Sequence, residues 1–275
     1  MTVISSIINK HCTVHATDSL ISILKKNGKL QPIKYEQSKI VPVRAWKGAL
    51  SYWGLAEHSK YNWSTFKWLK KKAGAANKNA SAEDFAYKLA EELNDEISRM
   101  DFKKDISSGI GIHFTAYENI EGRWIPELFL IKNFENTNYN SVYPDGIRVF
   151  RNTFAAFCNM SEKEKKPNHR EVPIRNIVYE VLHAGRWLRF NNGDPIIFNL
   201  VAPSIFNMYQ IFGQRGYLKD PTDIKTYHDM AHMFIKTISS AQQKFCHKDH
   251  RSVGGKPHVL AISPKGEYYS DTGDI

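Results

Sequence analysis

The chain has 275 residues, of which 42% are hydrophobic and 12% aromatic, so it can bury a full core and is not a disordered protein. No window approaches the ~18–20 consecutive apolar residues of a membrane span, no signal-peptide pattern is present, and the three cysteines have no paired spacing, which together predict a cytoplasmic protein with reduced thiols. The net charge of +10 admits nucleic acid as a partner, but no zinc-finger, RNA-recognition or phosphate-loop motif accompanies it.

Hydrophobic periodicity and turn residues divide the chain into strands and helices. In chain order the sequence predicts strands 2–8 and 12–18, a strand pair within 39–53, helices 55–73 and 81–100, strands 106–117, 124–132 and 146–158, helices 172–188 and 222–246, and a last strand, 258–263. This order predicts two sheets that lie between helical layers, or an α+β fold. One domain over residues 1–275 accounts for it.

The second residue of the chain is a threonine, which invites a chemical interpretation. Methionine aminopeptidases remove Met1 when a small residue follows, and this would leave Thr2 with a free α-amine. Such an amine has a pKa of about 7.7–8.0, so it can accept the hydroxyl proton near neutral pH. Threonine paired with its own N-terminal amine is a known activated nucleophile.

The spacing within the first hairpin brings a carboxylate to this end of the chain. If residues 9–11 form the loop, cross-strand partners sum to 20 and Thr2 faces Asp18. A two-residue loop would instead place Thr17 opposite Thr2, with Asp18 next to it. Both registers predict that Asp18 lies beside Thr2.

The stretch TVISSIINKHCTVHATDSLIS resembles the opening of proteasome β-type subunits and related N-terminal-nucleophile hydrolases. In that family a mature N-terminal threonine begins a strand, and the second strand of the hairpin ends in small residues followed by Asp and Ser, as in residues 16–19. A Lys-Ile pair then opens a later strand, which Lys39 and Ile40 match. A glycine ends the strand after that one, and Gly54 is the best match.

The resemblance implies a role for each of these residues. Thr2 would attack a carbonyl, and Lys39 would hold a positive charge near its hydroxyl. Asp18 would pair with Lys39, although a structural ion pair is the alternative. Gly54 would donate its N–H to the oxyanion, and a plain strand-to-helix turn is the alternative. Lys34 lies at the family's usual distance from Thr2 and competes with Lys39, which the strand-opening motif favours.

The C-terminal region carries a second part of the resemblance. Residues 251–255 (RSVGG), followed by PHVLAIS, resemble the family's Ser-x-Gly-Gly turn and the strand after it. Asp249 and Ser252 have the family's spacing and are candidate site residues. Val253 occupies the position next to the two glycines where the family has serine, so neither residue is a full match.

The resemblance implies a four-layer αββα sandwich with two antiparallel sheets between helical layers, and an extended or inserted segment around 161–222. It further implies a threonine-type hydrolase of peptide or other amide bonds that forms a homo-oligomer, either a ring or a smaller assembly. A catalytically inactive scaffold or binding subunit and a basic nucleic-acid-associated protein are the two alternatives.

A helical histidine pair is the remaining chemical motif. His228 and His232 lie four residues apart, as the zinc ligands of metallopeptidases do. Asp229 stands where those enzymes have a glutamate, and no third ligand follows at the expected spacing. We therefore expect neither a metal nor a cofactor.

Overall fold

A computed structural model of the chain describes residues 3–24, 30–34, 36–100, 109–120, 122–133, 146–151, 188–193, 223–247 and 251–271. Two candidate site residues, Thr2 and Asp249, lie outside these ranges, as do the predicted helix 172–188 up to its last residue and most of the segment 161–222. The predictions of a single domain and of an inserted segment therefore stay predictions.

The strands of the described residues are β1 (Val3–Ile8), β2 (Thr13–Thr17), β3 (Ile21–Leu24), β4 (Leu30–Lys34), β5 (Ile40–Val43), β6 (Gly48–Gly54), β7 (Glu57–His58), β8 (Trp63–Ser64), β9 (Ile110–Ile120), β10 (Arg123–Lys132), β11 (Arg148–Arg151), β12 (Leu188–Gly193), β13 (His258–Ile262) and β14 (Tyr268–Ser270). All pairings are antiparallel. One five-stranded sheet has the order β12-β1-β2-β13-β14, a second has the order β11-β10-β9-β6-β5, and β3-β4 and β7-β8 form two small sheets.

Three helices are described, α1 (Thr65–Gly74), α2 (Ala82–Arg99) and α3 (Ile224–Phe245), and none of them is long and apolar enough to cross a membrane. Each begins at a residue whose side chain caps it. The Ser81 hydroxyl accepts the Asp84 N–H at 2.9 Å, and the Asp223 carboxylate accepts the Thr226 N–H at 2.7 Å. The predicted boundaries of α2 and α3 are confirmed to within two residues.

The apolar core is divided by the two large sheets. The face of α3 that carries Phe234 and Ile238 is buried on β1, β2 and β13. The second sheet buries its outer face against α1 and α2, with Leu69 and Leu89 fully covered. The inner faces of the sheets meet in smaller clusters, such as Ile4 with Trp53. Burial of these faces drives the folding of the described part.

The prediction of a four-layer αββα sandwich was wrong. The described part of the chain is mainly antiparallel β structure, with fourteen strands in four sheets and only three α-helices. Within the described ranges, α3 packs on β2, β13 and β14, and the hairpins β3-β4 and β7-β8 form small sheets beside the two large ones. The physical reason is that short segments such as β3-β4 and β7-β8 pair as antiparallel hairpins, so strands outnumber helices in the described part.

The register of the first hairpin also differs from both predicted registers. Ile8 pairs with Thr13 and Ile4 with Thr17, so partners sum to 21 and the loop has four residues, 9–12. The Asn9 side chain causes this, because its Oδ1 accepts the backbone N–H groups of His11 and Cys12 at 2.7 and 2.9 Å. The longer loop puts Asp18 opposite Val3, whose carbonyl accepts the Asp18 N–H at 3.3 Å.

Candidate active site

A buried ion pair joins the end of β2 to the start of β5. Lys39 Nζ lies 2.9 Å from Asp18 Oδ1, and both side chains are almost completely buried, at 2% and 0% exposure. Lys39 Nζ also donates to the Leu20 carbonyl at 2.7 Å. A buried charge needs such partners, since an isolated one loses its hydration without compensation.

The Asp18 carboxylate accepts hydrogen bonds from three parts of the chain. Its Oδ1 accepts the Val3 N–H at 3.0 Å in addition to the Lys39 ammonium. Its Oδ2 accepts the N–H groups of Leu20 and Gly254, each at 3.2 Å. The start of β1, the loop after β2 and the C-terminal glycine turn therefore meet on one carboxylate.

Burial and the charges of the pair shift the pKa values of Lys39 and His258. Burial lowers the pKa of Lys39 below its usual value, and the Asp18 carboxylate offsets part of that effect. His258, which pairs with Thr17 across β13 and β2, is half-buried. Its pKa is lowered first by burial and then by the positive charge of Lys39. The carboxylates of Asp271, Asp18 and Glu36 act in the opposite direction, so the lowered pKa of His258 is mainly an effect of burial.

The structure separates the two candidate lysines. Lys34 bonds to Glu57 Oε1 and keeps 47% of its side chain exposed. Lys39 reaches Asp18 instead, and it does so in a buried setting. Among these two, Lys39 is therefore the lysine placed beside the carboxylate.

Gly54 ends β6 at the same small pocket that Lys39 lines, together with Leu20 and Tyr52. Its φ of +84° is the left-handed region that favours glycine. The Tyr52 N–H donates to the Lys39 carbonyl, so alternation along β6 turns the Gly54 N–H toward the same side of the sheet. This N–H is thus directed toward the Lys39 side of the pocket.

We expect Gly54→Ala to lower the free energy of unfolding by at least about 1–2 kcal/mol, the cost of a left-handed backbone in a residue with a Cβ. The new Cβ would also lie 2.0 Å from the Gly109 carbonyl oxygen, so the backbone must shift. Urea denaturation measures the change. Gly74→Ala at the end of α1 is the matched control, because a Cβ there meets nothing within 4 Å. Equal stability of the two variants would contradict this prediction.

Ser252 binds helix α3. Its hydroxyl accepts the Gln242 Nε2–H at 3.0 Å, and the N–H groups of Ser252 and Val253 both donate to Gln242 Oε1 at 2.8 Å. These contacts fasten the C-terminal turn to α3 and so position the Gly254 N–H that reaches Asp18. The catalytic role predicted for Ser252 is not tested by this geometry.

Two residues near the pair were missed by sequence reasoning. The Gly254 N–H reaches Asp18, and the Ser19 hydroxyl accepts the Lys256 N–H at 2.7 Å. The Gly-Gly turn and the serine after Asp18 were visible in the sequence. Their contacts join residues more than 230 positions apart, and no local pattern announces such contacts.

A second buried polar group lies between the two large sheets. His15 Nδ1 is 2.7 Å from Ser51 Oγ, and His113 Nδ1 is 2.8 Å from Ser6 Oγ. The second ring nitrogen of His113 contacts Asn192 Oδ1 at 2.6 Å. An amide oxygen only accepts, so His113 carries its proton on Nε2 and accepts the Ser6 hydroxyl on Nδ1. Because both rings are fully buried, this serine–histidine arrangement cannot meet a substrate.

The histidine pair of α3 is occupied by a carboxylate. His228 Nε2 and His232 Nδ1 lie 2.9 and 3.0 Å from the two oxygens of Asp271, which follows β14. Within the described residues, no group of three or more His, Cys, Asp or Glu is arranged to hold a metal ion. The pair therefore ties the end of β14 to α3.

The chain matches no protein-family model and no curated protein sequence. Among solved structures it is similar to Anbu (ancestral beta-subunit) from Yersinia bercovieri, with 12% identity, a TM-score of 0.47, and coverage of 99% of this chain and 88% of that one. It is also similar to the Anbu (Gly-1) mutant from Hyphomicrobium sp. strain MC1, with 9% identity, a TM-score of 0.48, and coverage of 100% and 88%.

These comparisons correct the family assignment drawn from the sequence. The identification as a proteasome β-subunit-like N-terminal-nucleophile hydrolase was wrong as a statement of membership, since no family model supports it. Structural likeness at 9–12% identity with TM-scores below 0.5 carries no functional argument. Any function must rest on the geometry of this chain.

Proposed function

We propose that the chain, once Thr2 is its N-terminal residue, hydrolyses peptide or other amide bonds with Thr2 as the nucleophile. The observation that carries this proposal is the hydrogen bond from the Val3 N–H to Asp18 Oδ1. Val3 is covalently joined to Thr2, and the same carboxylate oxygen accepts the buried ammonium of Lys39. This shared oxygen holds the start of β1 next to the positive charge of Lys39. Pairing of β1 with its neighbouring strands would not by itself require a charge at this position.

The proposed reaction begins with proton transfer from the Thr2 hydroxyl to the free α-amine. The hydroxyl oxygen attacks the amide carbon, and the positive charge of Lys39 favours both the alkoxide and the neutral amine. The Gly54 N–H donates to the oxyanion, a kind of contact worth about 2.7–4 kcal/mol in a protease.

The second half of the reaction regenerates the enzyme. The protonated α-amine gives its proton to the leaving nitrogen as the C–N bond breaks, which leaves an ester on Thr2. The same amine then takes a proton from water, whose oxygen attacks the ester carbon. Breakage of the ester bond releases the carboxylic acid and restores the threonine hydroxyl.

A β-lactone probe with intact-mass detection tests the proposal. We expect wild-type protein purified without Met1 to gain one adduct, Thr2→Ser to gain it as well, and Thr2→Ala to gain none. The conservative serine variant separates a lost nucleophile from a disturbed fold. Labelling that survives Thr2→Ala, or full retention of Met1 in the cell, would refute the proposal.

The same samples address the two alternatives. An inactive binding subunit predicts a folded protein with Thr2 exposed at its N-terminus and no adduct. A nucleic-acid-associated protein predicts DNA binding that weakens steeply with salt, again without an adduct. Either pattern would replace hydrolysis as the function.

A further inference from the structure

The small pocket that Lys39 and Gly54 line lies where the proposed reaction would place part of a substrate. Its walls come from the loop after β2, the start of β3, Lys39 and the end of β6. In the proposed reaction the attacked carbonyl carbon lies near Lys39 and its oxygen lies against the Gly54 N–H. The residue that supplies this carbonyl, here called the acyl residue, carries its side chain one bond away from the attacked carbon. That side chain therefore meets the pocket.

The pocket has very little space. Its volume is about 10 Å³, at the lower end of the ~10–15 Å³ that a single water molecule needs. A methyl group is similar in size to a water molecule, whereas the side chains of leucine and phenylalanine are several times larger. The pocket can therefore hold the side chain of glycine or alanine but not that of leucine or phenylalanine.

Contacts on their far sides hold the large lining side chains in place. Trp53 is almost fully buried, and its ring meets that of His113 edge to face, with 5.1 Å between the centroids. Tyr52 is equally buried and donates its hydroxyl to the Ser38 carbonyl at 3.4 Å. Lys39 is held by its buried ion pair. Side chains packed in this way resist displacement, so the pocket does not widen easily around a larger group.

We propose that the acyl residue of the substrate is small, so that glycine and alanine are accepted and branched or aromatic side chains are excluded. The proposal rests on the proposed function, because it assigns a substrate class to the same site. Ile21 and Ala56 determine the specificity: Ile21 is a buried aliphatic wall, and Ala56 leaves the remaining space because its side chain is short.

Two isomeric reagents test the size limit. Acetyl-Ala-Leu-Ala epoxyketone carries alanine next to the reactive group, and acetyl-Ala-Ala-Leu epoxyketone carries leucine there, so their compositions are identical. Labelling of wild-type protein without Met1, followed by intact mass, should be at least about tenfold faster with the first reagent. Neither reagent should label Thr2→Ala.

Variants of the two specificity residues change the pocket in opposite directions. Ile21→Ala widens it and should reduce the preference for the alanine reagent at least about tenfold. Ala56→Val fills it and should slow labelling by the alanine reagent at least about tenfold relative to acetyl-Ala-Leu-Gly epoxyketone. Ile235→Ala, on the buried face of α3 and outside the pocket, is the matched control for Ile21→Ala and should keep the wild-type preference.

The folding of each variant is checked by circular dichroism before labelling. Ala56 is only half-buried, so Ala56→Val still tests the pocket if Ile21→Ala does not fold.

The outcomes distinguish this inference from the proposed function. Equal rates with the two isomers, or faster labelling by the leucine reagent, would overturn the size limit and leave hydrolysis by Thr2 in place. A β-lactone adduct without any labelling by the alanine reagent would do the same, as would a wild-type preference in both pocket variants. Absence of every adduct would refute the proposed function, and the size limit with it.

Discussion

Replacing Lys39 with methionine is expected to lower the free energy of unfolding by about 3–5 kcal/mol, the range for removing one partner of a buried ion pair. The Asp18 carboxylate would stay fully buried without the lysine charge, while it keeps the backbone N–H groups of Val3, Leu20 and Gly254 as donors. Asp18 joins β1, the loop after β2 and the Gly254 turn. Removal of its lysine partner is therefore expected to weaken the packing of all three segments. Denaturant unfolding followed by circular dichroism measures the change.

The chain contains a matched control for this variant. Lys34→Met breaks an exposed pair with Glu57, so it should cost no more than about 1 kcal/mol. A double variant, Lys39→Met with Asp18→Asn, should be less destabilised than the sum of the single variants, because the uncompensated charge is gone. A similar decrease in the free energy of unfolding for Lys39→Met and Lys34→Met would show that the buried pair contributes no more to stability than the exposed one.

Acidification is expected to destabilise the protein strongly because of the two histidines between the sheets. Burial lowers the pKa of His15 to about 3 and that of His113 to about 4, from 6.5 when unfolded. Below about pH 6.5 the two histidines therefore bind protons in the unfolded chain but not in the folded chain. Their contribution is fully present above pH 6.5 and is lost as the pH falls toward 4 and 3.

The size of this effect follows from the two shifts. Between pH 7 and pH 4.5 the histidines together remove about 5 kcal/mol, from 1.36 kcal/mol per pH unit for each group. Their described partners, Ser6, Ser51, Thr115 and Asn192, include no carboxylate that could stabilise an imidazolium. Unfolding free energies from urea titrations at several pH values measure the slope.

Single glutamine variants provide the control for the acid effect. His113→Gln and His15→Gln should each remove about half of the pH-dependent loss, whatever their stability at pH 7. The comparison uses slopes, so a variant that is less stable overall remains informative. A wild-type slope in both variants would rule out these histidines as the acid-sensitive groups.

Local chemistry explains which elements could be predicted. The apolar stripe of α2 and its Ser81 cap, and the β-branched runs of β5 and β13, are patterns within one segment. The hairpin β3-β4 was missed, and so was β12, whose first residue is the last one of the predicted helix 172–188. The LRFNNG stretch of β12 has no β-branched residue, and it is a strand because it pairs with β1 along six residues.

Phe245 shows the same limit within a helix. It shares the 3.6-residue period of the buried face of α3, yet 85% of it is exposed. The period identifies a face of the helix, while burial depends on how far the sheet beneath extends. The last turn of α3 runs past that surface, and the sequence pattern contains no measure of this.

For the candidate site, the sequence by itself determined the residue types and their local settings: a threonine at position 2, an aspartate at the end of a strand, a lysine before another, and a glycine after a third. Only the tertiary structure decided that Lys39 and not Lys34 meets Asp18, that Asp18 faces Val3 and not Thr2, and that Gly254 completes the carboxylate's partners. The physical reason is the distance along the sequence over which each interaction acts. Propensity, capping and periodicity act over a few residues, whereas a buried charge draws its partners from wherever the fold brings a donor.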